Sequence, residues 1–238
     1  MLVQADVKGL EVVACAYLSR DDVLCEEVRD GVDFHESNRV RFGLPSRTVA
    51  KRFKFKLIYG ASAYGYANDS DFIDVSTSKQ FWQGIIDEYY SKYSGVQRWH
   101  KELVAEAAEH GIHRNPTGRE YEYPSQDVVL RNWFWRPKIL NYPVQGLGAD
   151  LVMIGRVSFW NRINKLGLRC LPILSVHDSI VVDVDSSLET CYNIGIILKE
   201  CIEDIPKNFE KLFGIPFDLP LTAEIKQGMD LHNMEIII

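Results

Sequence analysis

The sequence lacks several things, and each absence closes a class of function. No uninterrupted apolar run approaches the length of a membrane span, so a transmembrane helix is not expected. With 46% hydrophobic and 25% charged residues over 238 positions, a disordered chain is not expected either. The opening MLVQADVKGL has neither the basic nor the apolar region of a secretory signal and reads as a strand cut just after its start. Cysteine is sparse: Cys15, Cys25, Cys170, Cys191 and Cys201 are odd in number and show no CxxC spacing. That disfavours a disulfide framework or zinc site and favours reduced thiols filling a core in a cytosol. His35, His100, His110, His113, His177 and His232 do not cluster as a metal-dependent phosphohydrolase requires. Repeats, low-complexity tracts and flexible linkers are missing too.

One further absence is local. Between residues 37 and 68 there is no acid, while Arg39, Arg41, Arg47, Lys51, Arg52, Lys54 and Lys56 crowd together in a chain of formal net charge −6. Helices normally mix signs to gain pairs one turn apart. Unrelieved repulsion is easier to understand if polyanions neutralise it.

What is present reads as strands at both ends with a long helical block between them. Residues 2–7 alternate and run into the helical LEVVACAYLS. Residues 33–42 and 45–58 read as helices, with Pro45 near the first turn of the second. TSKQFWQGIIDEYYSKY and VQRWHKELVAEAAEH read as two more, separated by Gly95, the latter ended by Gly111. HRNPTGREYEYPS has the turn residues of a hairpin, and VQGLGADLVMIGRVSFWNRINKLG reads as a long helix closed by Gly167. LRCLPILSVHDSIVVDVD reads as a buried hairpin with a polar tip, LETCYNIGIILKECIED as a helix and LPLTAEIKQG as a last strand.

Three constellations in this layout bear chemistry. Arg47, Lys51, Phe55 and Tyr59 lie four apart, two cations and then two rings along one helix face. Such a face suits a nucleotide, phosphates first and sugar and base beyond, although an amphipathic surface helix gives the same stripe. Asp6 ends the first strand and Asp178 sits at the tip of SVHDSIVVD, so two carboxylates could meet at one end of one sheet, as divalent ions bound to substrate phosphates require. In LNYPVQGLGADLV, Asn141 and Gln145 are amides before and at a helix start, suited to bases or sugars.

In this order, these segments resemble the polymerase domain of family A DNA polymerases, from Asp6 to about Gln227. ADVKGLEVVACAYLSRD resembles motif A, RTVAKRFKFKLIYG motif B on the fingers helix, and SVHDSIVV motif C. The resemblance implies an α+β fold, an antiparallel palm sheet carrying the catalytic aspartates with a large inserted helical fingers subdomain. Residues 1–30 are then the first part of the palm, 31–110 the fingers and 111–238 the second part of the palm. It implies a DNA-directed DNA polymerase using two Mg²⁺ ions, with Asp6, Asp178 and the Val7 backbone carbonyl as ligands and Lys51 as the general acid. Arg47, Lys51 and His35, the last in DFH, would hold the triphosphate, Phe55 the sugar and base, Tyr59 the templating pocket, and Glu11 would exclude a ribose 2′-hydroxyl. Asn141, Gln145 and His177 would touch primer–template DNA.

The sequence departs from that pattern at four places. Ser179 stands where the family usually has Glu after the HD of motif C, Lys54 and Lys56 replace a small or amide residue and a glycine, Val7 and Lys8 replace an aromatic and a hydroxyl residue, and Pro137 replaces an Arg. Because family members place a thumb and any 3′–5′ exonuclease before motif A, the expectation is one product of a phage-like split polymerase, acting in a bacterial or phage-infected cytoplasm. A separate chain would supply the thumb and would cover an apolar palm surface. A single-subunit RNA polymerase, disfavoured by Glu11, and a catalytically idle DNA-binding subunit are the competing readings.

Overall fold

Val3, Ala5 and Val7 alternate inward along Leu2–Val7 while Leu2, Gln4 and Asp6 stay half-exposed, and this two-residue period makes the first strand, β1. The computed structural model describes residues 1–123, 135–185 and 187–238. Along the chain β1 is followed by α1 (Leu10–Ser19), α2 (Asp22–Arg29), α3 (Phe34–Arg41), α4 (Arg47–Ile58), α5 (Ala63–Ala67), α6 (Lys79–Lys92) and α7 (Ser94–His110). A short hairpin, β2 (Ile112–Arg114) and β3 (Glu120–Glu122), precedes α8 (Trp135–Leu166). The strands β4 (Cys170–Val176) and β5 (Ser179–Val184), the helices α9 (Leu188–Glu203) and α10 (Ile205–Phe213), and the strands β6 (Ala223–Gly228) and β7 (Met234–Ile236) complete the chain. Two compact units result, one of Met1–Ala14 with Gln145–Ile238, the other Cys15–Val144.

The first unit holds an antiparallel sheet in the order β4-β5-β1-β6-β7, so β1 is central. Its register sets Ala5 between Ile180 and Ile225. All three are fully buried. Ile225 faces α9, where Gly195 leaves room that a Cβ would occupy 2.8 Å from the isoleucine methyl. Residues opposite one another on antiparallel strands share a face, so Asp6, Ser179 and Glu224 lie on the other side of the sheet from α9. The mixed α+β fold with an antiparallel sheet is therefore as expected.

The second unit is helical and packed on rings. Phe53 of α4 stacks on Trp82 of α6 at 6.0 Å, Tyr66 stacks on Trp82 at 5.2 Å, and the Tyr66 hydroxyl donates to the Phe53 carbonyl at 2.6 Å. Side-chain caps start the helices: Asp21, Asp33, Ser46, Ser62 and Ser78 each accept from a backbone N–H of the following first turn. Asp21 also reaches across to α7, accepting from Gly95 N at 2.6 Å and Val96 N at 3.2 Å.

Several sequence expectations need correction. Pro45 precedes the Ser46 cap and is outside α4. Gly95 lies in the first turn of α7; the break falls at Tyr93, and the glycine is there because the Asp21 backbone approaches it. Helix α8 starts well before Gln145 and carries Pro143 inside it, so Asn141 and Gln145 are helix-interior residues. The proline only removes one donor, and Asn115 uses the Pro143 carbonyl at 2.9 Å. Strand β4 is an outer strand that exposes Leu171, Ile173, Leu174 and Val176, so only the β5 half of that hairpin is buried. The sequence reading contains no counterpart of helices α2, α5 and α10 or of strand β7. The β2–β3 hairpin was, although Pro124 and Ser125 of its expected span lie outside the described residues.

A methyl group at Gly95 would stand 2.7 Å from the Asp21 Cα, which is backbone and cannot swing away. Gly95→Ala is therefore expected to destabilise the protein by about 1–3 kcal/mol in urea unfolding with an unchanged m-value. An unaltered midpoint would disprove the close approach.

Candidate active site

Asp6 and Asp178 belong to the first unit. Strand β1 ends beside the β4–β5 turn, where the Val7 N–H donates to the Asp178 carbonyl at 3.0 Å. Asp6 itself lies opposite Ser179 on β5 and Glu224 on β6, and Glu224 pairs with Lys226 at 3.0 Å. The turn is tight: His177 is exposed and holds a φ of +52°, a conformation unusual for any residue but glycine. Ser179, the residue in place of an acid, is buried and its hydroxyl donates to the Val176 carbonyl at 3.0 Å, bracing that turn.

Donors at this end of the sheet are oxygens: two carboxylates and a backbone carbonyl, a set that suits a hard divalent cation. Among the described residues no group of three or more His, Cys, Asp or Glu side chains is gathered tightly enough to hold an ion. That still fits Mg²⁺, which is commonly held by one or two carboxylates with the remaining positions filled by water and substrate phosphates.

Glu11 sits in the first turn of α1, where the helix dipole favours an acid. Gln145 of α8 donates from Nε2 to Glu11 Oε1, while Glu11 Oε2 is buried without a hydrogen-bond partner. Asn141 has its Oδ1 similarly buried and without a hydrogen-bond partner in the second unit.

Helix α4 presents the anticipated face. Ala50, Phe53, Leu57 and Ile58 are buried, whereas Arg47 and Lys51 are exposed and Phe55 and the cap residue Tyr59 are half-buried. The Lys51 Nζ lies 5.7 Å from the centre of the Phe55 ring, and the His35 ring lies 5.9 Å from it. Burial, reinforced by Lys54, Arg47 and Lys51, pushes His35 down to about 4, so its imidazole is neutral near pH 7.

The missing acids are supplied from outside the segment. Arg39 pairs with Glu36, Arg41 with Glu88, Arg47 with Asp33, Arg52 with Asp71, and Lys56 with both Asp69 and Asp71. Glu36 and Asp69 are the very residues that flank the acid-free stretch. Repulsion among the seven cations is thus largely relieved within the protein, which corrects the argument from sequence. Lys54 is buried with its Nζ 4.5 Å over the Phe34 ring. Among the described residues Lys51 makes no ion pair and stands exposed at the middle of the face.

Comparison with known proteins identifies the family of the chain. The family model for DNA polymerase family A matches residues 1–233. The chain belongs to DNA polymerase family A. Its relatives include DNA polymerase I of Pseudomonas aeruginosa, 31% identical over 231 residues, covering 91% of this chain and 25% of that protein. The thermostable DNA polymerase I of Thermus aquaticus is 26% identical over 240 residues, covering 97% and 27%. Among solved structures, the POL domain of Pol1 from M. smegmatis in complex with DNA primer-template and dNTP is similar with a TM-score of 0.79 at 25% identity, covering 95% of this chain and 39% of that one. This family A chain thus spans about a quarter of the length of the curated relatives it matches.

Sequence reasoning overlooked Asp33, which anchors Arg47. Its signal was legible, because Asp33 and Glu36 have the spacing of a capping pair just before a helix.

Since His35 titrates at about 4 when folded and near 6.5 when unfolded, the unfolded chain binds more protons between those values. Stability contributed by this group is expected to be present above pH 6.5 and to fall as pH drops towards 4. Denaturation midpoints across that range should show the slope, and His35→Gln should flatten it; parallel profiles would show that the ring is not held neutral.

Proposed function

We propose that this chain is the catalytic portion of a template-directed DNA polymerase, joining the 3′-oxygen of a primer to the α-phosphorus of a dNTP and expelling pyrophosphate. The observation that carries the reading is the sheet register, which sets Asp6 on the face opposite α9 and seats the Asp178 backbone against Val7. Residues 1–30 and 111–238 are then palm and 31–110 fingers.

Each side chain has a role on this reading. Asp6, Asp178 and the Val7 carbonyl would hold two Mg²⁺ ions which, when bound together with the substrate phosphates, supply activation of the primer oxygen and stabilisation of the transferring phosphoryl group. Arg47 and Lys51 would bind the triphosphate, and Lys51, exposed and without an ion pair among the described residues, would give a proton to the departing pyrophosphate. Neutral His35 donates a hydrogen bond to the same phosphates. Phe55 packs on the sugar and base, Tyr59 borders the templating position, and Glu11, held by Gln145, fills the space a 2′-hydroxyl needs. Asn141, Gln145 and His177 contact the primer–template.

Ser179 favours a second reading, a subunit that binds DNA without turning over, because the hydroxyl braces a turn and brings no charge. A metal-dependent primer-extension assay separates the two. Asp6→Ala or Asp178→Ala is expected to lower incorporation by about 10³-fold or more while DNA affinity stays within about threefold. Unchanged turnover in either variant would remove the aspartates from the chemistry, and a wild-type protein that binds DNA without extending it, alone and with a thumb-bearing chain added, would favour the idle subunit. In the same assay Glu11→Ala is expected to admit ribonucleotides at reduced rate; unaltered sugar choice would move the gate elsewhere.

A further inference from the structure

Asp33 uses both carboxylate oxygens, each for a different purpose. Its Oδ1 caps α3, accepting from the N–H groups of His35 at 3.0 Å and Glu36 at 3.1 Å. Its Oδ2 accepts from Arg47 Nε at 2.8 Å. Arg47 is the first residue of α4, whose own cap is Ser46. One carboxylate therefore joins the opening turns of two consecutive helices, the first carrying His35 and the second carrying Arg47 and Lys51.

The geometry of the arginine contact matters. A guanidinium has five N–H donors in a planar fork, and Asp33 takes only the Nε edge. Among the described residues neither terminal nitrogen of Arg47 has a protein partner. Binding at Nε fixes the plane of the fork and leaves the two NH₂ groups for a phosphate. A carboxylate serving as a removable plug would have to swing away when nucleotide arrives. This one is tied by two backbone N–H groups, and its charge is partly spent on them.

We propose that Asp33 is a positioning residue for triphosphate recognition, orienting the Arg47 guanidinium and locking it to the helix turn that bears His35. This rests on the polymerase reading for the identity of the ligand, and it concerns a residue that never touches the nucleotide. Two effects of removing the carboxylate have opposite signs. Loss of a negative charge should tighten binding of a triphosphate, whereas loss of orientation should weaken it. Asp33 and Arg47 are both about half exposed, so the screened Coulomb gain is small and orientation dominates.

Titration calorimetry with dATP and Mg²⁺ tests this on the wild type, Asp33→Ser, Arg47→Ala and the double variant. Serine retains the helix cap but cannot reach Arg47. Asp33→Ser is expected to weaken dATP binding about tenfold, the loss of one charge-assisted hydrogen bond, and to raise the KM for dATP similarly in primer extension with kcat within about threefold. In the Arg47→Ala background the same change should have no further effect, within about twofold, because Asp33 acts through Arg47. Asp33→Asn, which keeps the shape but turns an amide towards Arg47 or gives up the cap, is expected to reproduce the loss if the serine variant folds poorly. Equal or tighter binding by both variants, or a full additional loss in the double variant, would overturn the proposal. A wild-type protein that binds no dATP would instead bring down the polymerase reading itself, a distinct result.

Discussion

The pairing of β1 with strands on both of its sides governs everything built upon it. A strand in the middle of a sheet cannot slip by one residue without turning every side chain to the other face. Here a slip would carry Val3, Ala5 and Val7 out of the core and drive Gln4 and Asp6 into it. Each apolar side chain loses roughly 1.5–3 kcal/mol on exposure, and an unpaired buried carboxylate costs more. Hydrophobic burial on the α9 side is therefore what pins Asp6 to the opposite face. The cost of burying the carboxylate works in the same direction, so both sets of side chains select one register.

Charge along α4 follows a second logic. Sequence distance and spatial distance diverge, because the acids bordering the cationic segment fold back over it from α3, α6 and the stretch after α5. Most of these pairs are substantially exposed, and exposed pairs are worth about 0–1 kcal/mol each. Such partners relieve repulsion without holding the cations firmly. An arriving polyanion can share or replace them at little cost, so intramolecular neutralisation and phosphate binding are compatible. The net charge of −6 then describes the whole surface and says nothing about this helix.

Much of the fold was legible where one physical signal dominated. The alternation of β1, the four-residue spacing on α4 and the Gly111 terminus of α7 each follow from backbone geometry, and the structure has them. Reading failed where a residue's usual meaning was overridden. The helix expected from Val144 in fact begins at Trp135 and runs through Pro143, because a helix tolerates the lost donor when the freed carbonyls find partners or bend towards solvent. The apolar run of β4 was taken as buried, yet hydrophobicity cannot tell a central strand from an outer one that exposes its side chains. Helix α10 follows α9 after a single residue, so the two merge in any periodic pattern. Of the candidate site, the residue types and their ordering were readable and their partners were not. That Ser179 braces a turn, that Gln145 holds Glu11 and that Asp33 holds Arg47 are facts of tertiary contact.

Departures from the family pattern change the chemistry expected of individual groups on the polymerase reading. Lys56 carries its own neutralisation in Asp69 and Asp71, so it adds little field at the nucleotide face. Lys54 differs, being buried against Phe34 and close enough to His35 to reinforce the desolvation that keeps the imidazole neutral. A neutral imidazole presents one donor and one acceptor, and Nδ1 of His35 is buried without a hydrogen-bond partner, which leaves Nε2 as the natural donor to an anion. The division of labour follows from the electrostatics. On that reading Arg47 and Lys51 would supply charge and His35 direction, and because the ring stays neutral from about 4 upward its part in phosphate recognition should not change between pH 6 and 8.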